Sequence, residues 1–192
     1  MKAIIFHGTD CQPDDPTYWY QWLGRQLKAR GYEVELPYYP DINHEPIATF
    51  LPKVLAAHTF DSDTILIGHS AGGPLLLSIL ENIKYPVAQA ILVAGYSMRL
   101  PGEEKDPVLQ DSYDWEKIKP NVKDITFINS VNDPWGCNAE QGRIMFDQLG
   151  GTQIIKNDGH FGSTSQNQMY TKFPLLERLV KWASKMTTKM ML

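Results

Sequence analysis

A chain of 192 residues, 43% hydrophobic and 21% charged with a formal net charge of −4, can bury about 70% of its unfolded surface around one core without a metal or disulfide staple. It reads as a single domain over residues 1–192. The mild acidity and the lack of any Lys/Arg run argue against nucleic acid as a partner. No apolar stretch reaches the ~18 residues of a membrane span. Two cysteines, Cys11 and Cys137, without CxxC spacing argue against a disulfide scaffold and suit unpaired thiols. The opening segment Met1–Gly8 lacks the long apolar core of a signal peptide, so the expected location is cytoplasmic.

In chain order, Ala3–Phe6 is a short, continuously apolar run stopped by Gly8, as expected of a strand buried on both faces. Thr17–Arg30 places Trp19, Trp22, Leu23 and Leu27 near helical spacing, with Gly31 as its C-terminal cap. Glu33–Leu36 alternates polar and apolar residues ahead of Pro37 and Pro40 and reads as an edge strand. Ile47, Phe50, Leu51, Val54 and Leu55 mark a second amphipathic helix. Thr64–Ile67 is a buried strand, Ala71–Ile83 a mostly apolar helix and Ala90–Ala94 another strand. Residues 97–122 break the pattern with Pro101, Gly102, Pro107 and Pro120. They read as an insertion of loop or short helix and a candidate lid. Ile125–Ser130 (strand), Ala139–Leu149 (helix), Thr152–Lys156 (strand) and Phe173–Met186 (helix) complete the series, and Thr187–Leu192 is expected to fray. Alternation of this kind predicts an α/β fold, a mostly parallel twisted sheet with helices on both faces. In such sheets ligands sit beyond the carboxyl ends of the strands.

One motif lies at such an end. Gly68-His69-Ser70-Ala71-Gly72 follows a predicted strand and opens a predicted helix, the context in which G-x-S-x-G marks a nucleophilic serine. The tight turn would hold the Ser70 hydroxyl at the N-terminus of a helix, whose dipole favours a developing oxyanion. A serine hydroxyl needs a base, and the base needs an orienting acid. His160, between glycines in Asn157-Asp158-Gly159-His160-Phe161-Gly162, is in the right chain order for the base. His7 and His69 precede or lie within the motif, and His44 and His58 read as surface residues. For the acid, Asp133 after the strand at 125–130 is preferred. Asp158 is the alternative, with a turn residue as its plainer reading. Two backbone donors should form an oxyanion hole, from Ala71 and from the loop His7-Gly8-Thr9-Asp10, with Thr9 the choice. Tyr96, Trp135 and Phe161 are candidates for an acyl-binding pocket, against ordinary aromatic packing. Trp19 and Trp22 read as core or rim. Metal-ligand spacings, GxGxxG and the P-loop pattern are absent, so no metal or cofactor is expected.

Taken together, His7-Gly8, Gly68–Gly72, Asn132-Asp133-Pro134 and Gly159-His160-Phe161-Gly162 resemble the small serine hydrolases of the retinoblastoma-binding serine hydrolase and YdeN-like type. The resemblance spans nearly the whole chain, with 97–122 its least secure part. It implies a minimal α/β-hydrolase fold without a cofactor, a triad of Ser70, Asp133 and His160, and esterase or aminopeptidase-like action on a small acyl substrate. Retinoblastoma-protein binding is not implied, because no Leu-x-Cys-x-Glu motif surrounds Cys11 or Cys137; a protein partner is left unassigned. Two other readings stay open. One is a binding module with a vestigial triad. The other is amidase, aminopeptidase, thioesterase or lyase chemistry on the same residues.

Overall fold

Six strands, β1 (Lys2–Phe6), β2 (Glu33–Glu35), β3 (Thr64–His69), β4 (Gln89–Val93), β5 (Ile125–Ser130) and β6 (Thr152–Lys156), form one sheet in the order β2-β1-β3-β4-β5-β6. Every pairing is parallel. This is a computed structural model, and it describes residues 1–181. Both faces of the central strands are covered: β3, β4 and β5 are buried at every position and mainly apolar, with Thr64, His69, Gln89, Thr126, Asn129 and Ser130 as buried polar residues. β2 and β6 stand at the edges, and none of their residues is fully buried.

Helices α1 (Tyr20–Ala29), α2 (Ile47–Ala57), α3 (Gly72–Asn82), α4 (Trp115–Ile118), α5 (Ala139–Leu149) and α6 (Pro174–Leu179) fill the connections. Gly31 ends α1 at φ +86, with its N–H on the Lys28 carbonyl, a conformation open to glycine at little steric cost. Asn138 caps α5 by accepting the Glu140 and Gln141 N–H groups. The closing helix is shorter than its apolar pattern predicts. It stops at Leu179, where the Arg30 guanidinium donates to the carbonyls of Glu177 and Val180. This satisfies the helix end from outside. The rest of the helix predicted to Met186 and the frayed end predicted for Thr187–Leu192 fall outside the described residues.

Residues 97–122 contain α4 and a following 3-10 turn, Lys119–Asn121, and otherwise no regular element. They are nonetheless anchored: Val108, Leu109, Tyr113 and Ile118 are buried in the core, and the Pro107 carbonyl accepts the Ile47 N–H at the start of α2. The strand order reverses direction between β1 and β3. The crevice at their carboxyl ends is thus the topological switch point where open α/β sheets bind ligands.

Candidate active site

At that crevice, β3 turns into α3 through Ser70, which adopts φ +53. This is a left-handed conformation costing a non-glycine residue about 1–3 kcal/mol. The flanking glycines permit the turn. A Cβ on Gly68 would lie 2.4 Å from the Gly72 carbonyl oxygen, and one on Gly72 would lie 2.6 Å from the Phe6 oxygen. The Gly72 contact brings the start of α3 against the end of β1. Gly73 packs as closely against β4's exit, where a Cβ would stand 2.7 Å from the Gly95 Cα.

Ser70, His160, Thr9, Tyr96 and Trp135 line one cavity of about 580 Å³. The His160 Nδ1–H donates to Asp133 Oδ2 at 2.7 Å, and the Asp133 side chain is 0% exposed. The other carboxylate oxygen accepts the Trp135 N–H at 2.9 Å. With Nδ1 committed to Asp133, Nε2 is the ring nitrogen that remains to meet the cavity. The loop carrying His160 is pinned by three backbone donors: Asp158 N–H to Ser130 Oγ, Gly159 N–H to Asn132 Oδ1, and His160 N–H to Gln168 Oε1. Asp158, the alternative acid, instead accepts the Tyr170 hydroxyl and pairs with Lys156. Among the described residues, Ser70 Oγ takes no hydrogen bond, and the Thr9 and Ala71 N–H groups have no acceptor. Thr9 follows Gly8, where a Cβ would stand 2.9 Å from Ser70 Cβ, so only glycine lets that loop lie beside the serine.

Tyr96 is 2% exposed and donates its hydroxyl to Asp106 Oδ2 at 2.5 Å. Burial, reinforced by that carboxylate, pushes the hydroxyl well above its ordinary pKa and keeps it protonated. Trp135 is 38% exposed at the cavity wall. Phe161 departs from expectation. Its ring is fully buried and stacks on Phe173 at 5.3 Å, because φ +55 at this residue sends the side chain into the core while His160 meets the cavity. Trp19 is buried and donates its indole N–H to the Phe161 carbonyl, and Trp22 packs against the core. His44 is exposed and bonds Asp10. His58, expected at the surface, is largely buried: its side chain is 7% exposed, held by Glu35 and the Tyr39 hydroxyl beside edge strand β2.

The pattern of residues does not reveal a buried relay behind the cavity. The Gly8 N–H reaches Tyr20 Oη at 3.4 Å, that hydroxyl donates to His69 Nδ1 at 2.5 Å, and His69 Nε2–H donates to the His160 carbonyl at 2.8 Å. Burial, aided by the neighbouring His160, lowers the His69 pKa to about 3, so its ring is neutral and both nitrogens have fixed roles. His7 is likewise held low by burial; its Nδ1–H donates to the Gly8 carbonyl and its Nε2 accepts the Tyr39 N–H. The only sequence signal for this relay is the position of His69 inside the glycine motif. Asp133, Cys137 and His160 also offer three potential metal-ligand atoms within 4.8 Å of one another. Two of these groups already share a hydrogen bond, and burial, ahead of the charges of Asp133 and Asp106, pushes the Cys137 thiol well above its usual range.

A parallel six-stranded sheet, helices on its faces and a strained serine between β3 and α3 define an enzyme of the α/β-hydrolase class. The chain belongs to the serine hydrolase family, whose model matches residues 3–182. It is 27% identical to YdeN of Bacillus subtilis (strain 168) over 97% of this chain and 98% of that protein. It is 28% identical to the serine hydrolase RBBP9 of Rattus norvegicus over 88% and 91% of the two chains. The crystal structure of the B. subtilis ydeN gene product superposes with a TM-score of 0.82 at 25% identity, covering 92% of this chain and 95% of that one.

Proposed function

We propose that this chain hydrolyses a small ester or related acyl bond through Ser70, His160 and Asp133, by way of an acyl-enzyme. The observation that carries the reading is the fully buried Asp133 carboxylate, 2.7 Å from His160 Nδ1, behind a cavity that also exposes a strained Ser70. His160 Nε2 takes the Ser70 Oγ proton as Oγ attacks the substrate carbonyl, and Asp133 stabilises the imidazolium that forms. The unpaired Thr9 and Ala71 N–H groups receive the oxyanion. His160 then gives its proton to the leaving group, and a water repeats the cycle on the acyl-enzyme. Tyr96 and Trp135 wall the substrate pocket, together with Leu100, Glu103 and Asp106 from the 97–122 segment. That segment acts as the lid over Ser70.

A fluorophosphonate probe tests the assignment. It should label the wild-type protein on Ser70, as mapped by peptide mass spectrometry, and leave Ser70→Ala unlabelled. Equal labelling of both proteins overturns the reading.

A further inference from the structure

We propose that Asp106 is the recognition group of this cavity and selects substrates carrying a protonated amine. The inference rests on the serine-hydrolase reading of the cavity and extends it to substrate class. Three carboxylates line the wall, Asp10, Glu103 and Asp106, and the lining includes neither lysine nor arginine. Asp10 is bonded to His44, and Glu103 is exposed.

Asp106 differs from both. It is half-buried, and it is held from two sides by neutral donors. Its Oδ2 accepts the Tyr96 hydroxyl at 2.5 Å, and its Oδ1 accepts the Asn43 amide at 3.0 Å. Asn43 in turn accepts the Val108 N–H, which locks it to the chain just beyond Asp106. Lys105, the adjacent cation, pairs with Asp111 instead. Among the described residues no cation neutralises Asp106. Three chain segments therefore converge to orient one carboxylate and leave its charge uncompensated.

Each carboxylate oxygen accepts more than one hydrogen bond, so the group has capacity for an ammonium donor. A charge in a concave, partly apolar cavity acts more strongly than one in open water. The Tyr18, Tyr96 and Trp135 rings on the same wall favour an organic cation further. The same field disfavours anionic acyl groups.

The test uses the Ser70→Ala variant, which binds without turnover, titrated calorimetrically with phenethylammonium and with its neutral analogue phenethyl alcohol. The ammonium ion should bind about tenfold more tightly, as a charged hydrogen bond implies. Asp106→Asn in the same background should erase that ratio by weakening the ammonium ion far more than the alcohol. A carboxylate that served only to pin the 97–122 segment would shift stability and both affinities together, not their ratio. Asp106→Ser is the second variant should the asparagine fail to fold. Equal affinities in the parent, no ammonium binding, or a preference that survives loss of the carboxylate each overturns the proposal. Because the readout is binding, a failure of fluorophosphonate labelling would count against the hydrolase reading alone.

Discussion

At the scale of single residues, the arrangement separates two aspartates that the sequence leaves in competition. Asp158 stands two residues from His160 in the chain and Asp133 lies 27 residues before it, yet only Asp133 faces Nδ1; Asp158 is occupied by Tyr170 and Lys156. Asp133→Asn should therefore lower kcat by on the order of 10³–10⁴-fold, because the amide no longer holds the required tautomer. Asp158→Asn should leave kcat near wild type on the same p-nitrophenyl ester assay. The reverse ranking would reassign the acid. Ser70 offers a complementary test, since its φ of +53 is strain that a glycine would not carry. Ser70→Gly should abolish labelling yet raise stability by a net ~0.5–1 kcal/mol after glycine's extra backbone entropy. In a chain of this size that is a rise in Tm of about 1–4 °C, readable by thermal melt. A lower Tm would show that the serine side chain contributes more than its backbone costs.

At the scale of elements, the Tyr20–His69 relay ties α1, the end of β3 and the His160 loop into one unit. Tyr20→Phe leaves His69 Nδ1 and the Gly8 N–H without their partner, each a buried group whose loss costs roughly 1–3 kcal/mol. Because the relay ends on the His160 backbone and on the loop before Thr9, its loss should lower kcat more than it changes KM. An unchanged kcat would make the relay purely structural. The relay is also the part of the site least visible in the sequence. Strands β5 and β6 and helix α5 are legible to the residue, since their apolar runs are bounded by clear turn residues. The nucleophile motif is legible because strand, glycines and helix coincide there. Tyr20 is not, because it occupies an ordinary core position of an amphipathic helix and its hydroxyl meets His69 only through the tertiary fold. Phe161 misleads for a related reason. Adjacency to His160 suggests a shared direction, whereas a left-handed backbone between glycines points neighbouring side chains apart. The 97–122 segment hides its buried anchors, Val108, Leu109, Tyr113 and Ile118, because their spacing follows neither the helical nor the strand period.

At the scale of the whole molecule, five of the six described non-glycine residues with positive φ gather around one end of the sheet: Asp10, Asn43 and Ser70 line the cavity, while Ala94 and Phe161 lie just before Tyr96 and just after His160; the sixth is Asn167. A buried parallel core holds these conformations in place, so the stability of the fold and the geometry of the site are coupled. Buried neutral histidines make that coupling depend on pH. His69 has a pKa of about 3 in the folded chain, against about 6.5 when unfolded, and His7 is shifted in the same direction. Between those two values the unfolded chain binds more protons than the native one, so stability rises with pH across this window and falls as the solution is acidified. His69 alone should contribute a slope approaching about 1.4 kcal/mol per pH unit below pH 6, fading as pH approaches 3. Urea denaturation of wild type and His69→Gln, followed by tryptophan fluorescence from pH 7 to pH 4, measures it. Glutamine takes no proton in this range, so the variant should start less stable at pH 7, having lost part of the relay, and lose less stability on acidification. The two curves should converge toward low pH. Parallel curves would mean that His69 takes up its proton equally in both states, and the neutral ring linking Tyr20 to the His160 carbonyl would have to be abandoned.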